Sequence, residues 1–202
     1  MTTPALYGLV LAGGSSSRMQ RDKAALEYEG QSQLTRAARL LQRHVQQVFV
    51  SVRSAQAQDP LRKAWPMIID TVEGEGPIVG IRSAFAAHGD VAWLVIACDL
   101  PFLSDATLEQ LIAKRHPGAI ATAYRSAHDG LPEPLCAIWE PGAAAALAAY
   151  QAAGGRCPRK FLIRNEAPLI DAVDAHALDN INTPQEYEQA RSSLLPGVTS
   201  TT

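Results

Sequence analysis

The chain has 202 residues, of which 47% are apolar and 19% charged, and a formal net charge of −2. That length supports one sizeable core, and that balance excludes a disordered or fibrous chain. The small net charge gives no electrostatic reason to expect nucleic acid or an anionic membrane as partner; no run of eighteen apolar residues or secretory leader pattern occurs, so a cytoplasmic protein with a small ligand is expected.

Residues 6–12 form a short apolar run that predicts a buried strand, and residues 32–45 place Leu34, Ala37, Ala38, Leu41 and Val45 at helical spacing. Strands are expected at 48–52 and 67–69. Gly76-Pro77 then opens a helix over 78–88, with Ile78, Ile81 and Phe85 on one face. Residues 93–98 are apolar without alternation, which implies a strand covered on both faces. Ser104 suits the cap of a helix that carries Asp105 and Glu109 early and Lys114 and Arg115 late, as the helix dipole prefers. Further strands are expected at 119–124 and 135–139, and helices at 141–152 and 184–194, before a tail at 196–202 predicted to be disordered. The βαβα order predicts an α/β fold: one domain over 1–195, with a mostly parallel central sheet and helices on both faces.

Three cysteines, Cys98, Cys136 and Cys157, are odd in number and widely spaced, so neither a disulfide framework nor a cysteine zinc site is expected. Cys98 and Cys136 read as small apolar residues completing strands. The five histidines show no metal-ligand spacing.

The stretch LVLAGGSSSRMQRDKAAL, at 9–26, lies at the end of the first predicted strand, where open parallel sheets bind ligands. Gly13 and Gly14 let the backbone approach a ligand and offer amides to phosphate oxygens. Ser15, Ser16 and Ser17 add hydroxyls, and Arg18, Arg21 and Lys23 add positive charge, a combination suited to a nucleoside triphosphate. The loop has neither G-x-G-x-x-G nor G-x-x-x-x-G-K-[ST], and on composition alone a solvated turn accounts for it too. Asp99 directly follows an apolar strand, where a carboxylate can hold Mg²⁺ against phosphates or simply brace a loop. Asn180, Asn182 and Thr183 precede Pro184, a pattern that by itself favours an ordinary helix cap.

Taken together and in order, LAGGSSSRMQRDKAAL, DTVEGEGPIVGI, ACDLPF, EPLCAIW and NINTPQEY resemble the molybdenum cofactor guanylyltransferases, a branch of nucleotidyltransferases with a Rossmann-like α/β fold. The resemblance implies that Leu11, Ala12 and Gly13 line a nucleotide through their backbone. It further implies that Lys23 contacts the phosphates, Asp70 helps position the nucleoside and Asp99 holds Mg²⁺. Gly76, Pro77 and Gly80 match a loop near the base, and Asn182 a position that assists at the metal or acceptor phosphate. Two places depart from the family pattern. Gln20 stands where a glycine is usual, and GGRCPRKFLI is an unfamiliar form of the acceptor-side basic segment. Its Arg156, Arg159 and Lys160 suit either an anionic acceptor or a solvated helix start.

The reaction the resemblance implies is transfer of GMP from GTP to the phosphate of molybdopterin, giving the guanine dinucleotide cofactor and pyrophosphate. An acceptor phosphate is already ionised at neutral pH. The chain's task is then to align two polyanions and neutralise charge, with Asp99, Mg²⁺, Lys23, Arg18 and the loop amides as the tools. GTP and molybdopterin or the molybdenum cofactor are the expected partners, together with transient contacts to cofactor-delivering or cofactor-receiving proteins. Alternatives keep the fold and exchange GTP for CTP or the acceptor for another phosphate, or retain binding without turnover. Base choice is expected to reside in residues 71–80.

Overall fold

The structure, a computed structural model, describes residues 3–14, 19, 21–70 and 76–194. Chain order begins with β1 (Leu6–Leu11), a two-residue hairpin of β2 (Glu27–Tyr28) and β3 (Gln31–Ser32), α1 (Gln33–Gln42), β4 (Val48–Val52), α2 (Pro60–Lys63), β5 (Met67–Ile69), α3 (Pro77–Ala87) and β6 (Ala92–Ala97). It continues with α4 (Asp105–Ala113), β7 (Ala121–Arg125), β8 (Pro132–Trp139), α5 (Ala143–Ala152), α6 (Pro158–Arg164), β9 (Leu169–Asp171) and α7 (Pro184–Leu194). The predicted tail at 196–202 lies outside the described residues.

Seven strands make one sheet in the order β5-β4-β1-β6-β8-β7-β9. Strands β5, β4, β1 and β6 are mutually parallel, and β7 pairs in parallel with β9, while β8 runs antiparallel to both β6 and β7. The sheet is therefore mostly parallel, with one reversed strand that the apolar run at 135–139 could not reveal.

Each predicted amphipathic face buries what its spacing predicts. Ser32 caps α1 by accepting from the Thr35 amide, and Leu34, Ala37, Ala38 and Leu41 pack with Val10, Val50, Leu94 and Ile96 on one side of the sheet. On the other side Ile78, Ile81 and Phe85 of α3 join Leu9, Trp93, Val95 and Trp139. All six residues of β6 are buried, which explains its lack of alternation. Each large aliphatic among them contributes about 1.5–3 kcal/mol of burial.

Gly80 sits within α3, as the helical spacing over 78–88 predicts, and not in the loop that the family resemblance implies. Alanine is favoured over glycine in a helix by about 1 kcal/mol. A Cβ at this position, however, would stand 2.7 Å from Leu11 Cδ2 and closer still to Ser51 Oγ. Overpacking of that kind costs about 1–3 kcal/mol, so steric fit outweighs propensity. The glycine lets α3 settle directly onto the ends of β1 and β4.

The order of connection fixes where a ligand can enter. From β1 the chain moves outward to β4 and β5, then returns through α3 to β6 on the other side of β1. Right-handed crossovers in opposite directions put α1 and α3 on opposite faces, leaving a crevice between the carboxyl ends of β1 and β6.

Candidate active site

The loop after β1 and the turn after β6 meet at that crevice. The Cys98 amide donates to the Leu11 carbonyl at 3.2 Å, and the Ala12 amide to Ser51 at 3.2 Å, so the backbone at Leu11 and Ala12 is held from both neighbouring strands. Gly13 faces Asp70, since a Cβ there would lie 3.5 Å from its Oδ2. At Gly14 no described atom lies within 4 Å of a Cβ position, which leaves the backbone open to a ligand. Ser15 and Arg18 lie outside the described residues, as do Ser16, Ser17, Gln20 and 71–75 of the segment expected to read the base.

Lys23 enters from a 3-10 turn, Lys23–Ala25, capped by Asp22 through the Ala24 amide. Its ammonium donates to Asp99 Oδ2 at 2.8 Å and to Asn182 Oδ1 at 2.7 Å. Three residues from distant parts of the chain thus converge on one point. The link to the last segment is reinforced by the Ile181 amide, which donates to the Asp99 carbonyl at 3.1 Å.

The helix-cap reading of NINTP is correct for Thr183, and it is what frees Asn182. Thr183 Oγ1 accepts from the Glu186 amide, and the Glu186 carboxylate accepts from the amides of Asn182 and Thr183, a capping box around Pro184. With the cap supplied by its neighbour, the Asn182 side chain is spent on Lys23.

Asp99 carries the clearest electrostatic signal. Its Oδ1 is buried and has no hydrogen-bond partner, although the other oxygen is paired. An orphaned carboxylate oxygen costs about 1–3 kcal/mol or more, and a cation at that oxygen removes the cost. Among the described residues no cluster of three His, Cys, Asp or Glu side chains is arranged to hold a metal. A single carboxylate still fits Mg²⁺, which takes one or two carboxylates and completes its shell with phosphates and water.

Asp70 accepts from Ser51 Oγ at 2.9 Å, beneath the point where Gly80 brings α3 down. Burial pushes its carboxyl above the usual range, against the opposing pull of Ser51 and Arg53. A raised carboxyl pKa means that stability is fully present below the unfolded value, near 3.9, and declines as pH rises through the folded value. Burial of the Asp70 carboxylate therefore works against the nucleotide-free fold as pH rises. Asp70→Asn is expected to raise the melting temperature of the nucleotide-free protein at pH 7 while weakening GTP binding in titration calorimetry. A variant that melts lower, or binds GTP unchanged, contradicts this role.

At the start of α3, Gly76 has φ +80° and Pro77 occupies the first helical position. The left-handed backbone demands glycine at one residue, and the missing amide hydrogen makes proline suitable at the next.

Arg62 is the site residue that sequence reasoning missed. Its side chain is 1% exposed, and its guanidinium donates to both oxygens of Asp22, at 2.7 and 3.0 Å, to Asp59 and to the Ala12 carbonyl at 2.9 Å. Burial opposes its charge, but the hydrogen bonds and charges of Asp22 and Asp59 outweigh that and hold its pKa above the ordinary value. Nothing in QDPLRK distinguishes this arginine from a solvated one.

A second cleft runs along the same edge of the sheet, lined by Arg125, His128, Glu133, Asp171 and Asp179 among others. Ile96 pairs with Cys136 and Arg125 with Pro132, so the start of β8 and the end of β7 project past β6 on the side of Asp99. The segment 179–182 joins the two places, because Asp179 borders the cleft and Asn182 touches Lys23. Of the basic segment, Arg159 is engaged by Asp129 and Glu133 at 2.8 and 3.0 Å, whereas Arg156 and Lys160 are exposed. Burial pushes the thiols of Cys98 and Cys136 well up from their usual range, in keeping with apolar packing rather than redox chemistry.

Residues 8–169 match the family model described as MobA-like NTP transferase domain. A molybdenum cofactor biosynthesis bifunctional protein of Synechocystis is 39% identical over 184 residues; the alignment covers 91% of this chain and 53% of that protein, so the chain spans about half its length. A molybdenum cofactor guanylyltransferase of Cereibacter sphaeroides is 32% identical, with 94% of this chain and 97% of that protein covered. The solved structure of molybdopterin-guanine dinucleotide biosynthesis protein A from Archaeoglobus fulgidus shares the fold at a TM-score of 0.75 and 23% identity, covering 93% of this chain and 97% of that one.

Proposed function

The chain belongs to the MobA-like NTP transferase domain family, and on that premise we propose that it transfers GMP from GTP to the phosphate of molybdopterin, releasing pyrophosphate. The observation that carries this reading is the convergence of Lys23, Asp99 and Asn182 on one point, at the end of the loop that begins with Gly13 and Gly14. An acceptor phosphate oxygen forms a bond to the α-phosphorus of GTP as the bond from that phosphorus to the bridging oxygen of the β-phosphate breaks. With a second phosphate pKa near 6, the nucleophile needs no general base at neutral pH. Catalysis then consists of alignment and charge neutralisation.

The backbone at Leu11, Ala12, Gly13 and Gly14 receives the nucleotide, with Ser15 and Arg18 of the same loop adding donors. Lys23 offsets the charge developing on the reacting phosphoryl group, and Asn182 and Asp99 hold the ammonium in place before substrate arrives. Asp99 Oδ1 would hold Mg²⁺, which when bound supplies charge neutralisation for the phosphates. Asp70 lies where it can meet the nucleoside, and Gly76 and Pro77 shape the backbone that follows residues 71–75. Gly80 acts on the same pocket through packing.

On this reading the acceptor lies along the neighbouring cleft, whose lining carries Arg125 paired with Asp171, His128 paired with Asp179 and Glu133 paired with Arg159, groups that suit an anionic heterocycle able to exchange with those partners. A rim open along the sheet edge also suits transient transfer from and to cofactor-handling proteins. No helix of the described residues is long and apolar enough to cross a membrane. The odd number and wide spacing of the cysteines suit a reducing cytoplasm, and the charge balance favours small substrates over nucleic acid.

The test is pyrophosphate release by the purified protein with Mg²⁺ and molybdopterin, with GTP, CTP, ATP and UTP compared side by side. Release with GTP alone is expected. Preference for CTP moves the chain to cytidylyl transfer, and tight GTP binding without release under any acceptor makes it a binding module.

A further inference from the structure

Two arginines among the described residues have side chains less than a tenth exposed and hold carboxylates, and they serve opposite ends of the sheet. Arg115 pairs with Glu140 and donates to the Pro4 carbonyl, beside the start of β1, where it fastens the fold away from the crevice. Arg62 instead joins its own helix cap to both ends of the nucleotide loop. Its Nη2 reaches the Ala12 carbonyl, at the loop's beginning, and Asp22, at its end, while Nη1 reaches Asp22 and Asp59. Asp59 caps α2, the short helix that carries Arg62 itself. Residues 12 and 22 are thereby tied through one planar, always charged group.

Asp22 has a second task. The oxygen that accepts from Arg62 Nη2 also accepts from the Ala24 amide at 3.0 Å, closing the turn from which Lys23 projects. Arg62 Nε is buried with no hydrogen-bond partner. The guanidinium is therefore oriented by its loop contacts at the expense of its own full satisfaction, the reverse of what a purely stabilising buried ion pair achieves.

We infer that Arg62 is a positioning residue for nucleotidyl transfer, clamping the two ends of the glycine–serine loop and, through Asp22, aiming Lys23 at the triphosphate. This rests on the reading of Lys23 as the phosphate contact. Arg62 touches no substrate and acts only through the backbone at Ala12 and the turn at Asp22. Its removal therefore acts on turnover more than on GTP binding, because slight misplacement of a charge-neutralising group costs most in the transition state.

The experiment is a double-mutant cycle in the full chain between Arg62→Gln and Lys23→Ala, read in steady-state kinetics of pyrophosphate release and in GTP titration without acceptor. Arg62→Gln alone is expected to lower kcat about 10- to 100-fold with a KM for GTP changed less than about threefold, the scale of effect seen for misplaced catalytic groups. In the Lys23→Ala background the same change should cost no more than about twofold in kcat, because its target is already absent. An equal loss in both backgrounds, or unaltered turnover in Arg62→Gln, overturns the inference. If Arg62→Gln does not fold, Asp22→Ala cuts the same contact from its half-exposed end, and the same non-additivity is required of it. Should the wild type bind GTP yet release no pyrophosphate, the proposed reaction fails instead. The role of Arg62 in nucleotidyl transfer then falls with it, whereas additive losses in an active wild type overturn the coupling alone.

Discussion

Lys23→Ala is expected to lower kcat for pyrophosphate release about 10²- to 10³-fold, the usual consequence of deleting one preorganised group that stabilises developing charge. The size of the effect follows from how the ammonium is held. It lies 2.8 Å from Asp99 and 2.7 Å from Asn182, with only 19% of its side chain exposed, so it reaches the reaction already oriented and partly dehydrated. A lysine free in solvent would first have to be ordered, which costs up to about 2 kcal/mol of side-chain entropy. Ground-state GTP also carries charge, so its KM should rise as well, but by less than kcat falls, since the bond-breaking phosphoryl group gathers charge that the substrate does not have. Lys23→Arg separates charge from placement. Its planar fork keeps the positive charge but not the single point shared by Asp99 and Asn182, and it should recover only part of the lost rate. Normal turnover in Lys23→Ala removes this residue from the chemistry.

Why Lys23 could be picked out from the sequence, and Arg62 could not, is a matter of what kind of signal each carries. Strands β4 and β5 and helix α7 fall at the residues predicted, and β1 and β6 within one residue, because an uninterrupted apolar run between turn residues has few other ways to be buried. Strands β2, β3 and β9 have two or three residues each and no period to detect. Helix α6 is hidden inside the basic segment read as an acceptor contact, and it exists because Phe161 and Leu162 bury against Trp139 on the far face of the sheet. The direction of β8 is set by pairing with two partners far away in sequence, so nothing local records it. Site residues that repeat a family pattern were legible: Lys23, Asp99 and Asn182 lie up to 159 positions apart and still meet. Gly80 was legible as a helical glycine but not as a contact, since only the approach of Leu11 and Ser51 shows that it is a packing residue. Arg62 fits no pattern. An arginine in a one-turn helix is ordinarily solvated, and only the tertiary position of Asp22 and Ala12 buries this one.

Asp99→Asn should raise the Mg²⁺ concentration for half-maximal activity at least about tenfold, because the substitution keeps the volume and removes the charge that a hard cation requires. In the nucleotide-free protein two effects oppose one another. Losing a carboxylate oxygen buried without a partner is favourable, whereas leaving Lys23 without its anion is unfavourable. Lys23 retains Asn182 and some contact with solvent, so its loss is softened, and the melting temperature of the free protein should move little. Ligand-induced stabilisation should move much more. At a GTP–Mg²⁺ concentration one hundred times the dissociation constant, the wild type gains about 2.7 kcal/mol, and a tenfold weaker complex gains about 1.4 kcal/mol at the same concentration. A thermal-shift titration of Mg²⁺ at fixed GTP therefore reads the metal role without any turnover. A halved shift with a near-normal starting temperature identifies Asp99 as the cation's ligand. A shift equal to that of the wild type at every Mg²⁺ concentration assigns the orphaned oxygen to bracing the turn after β6.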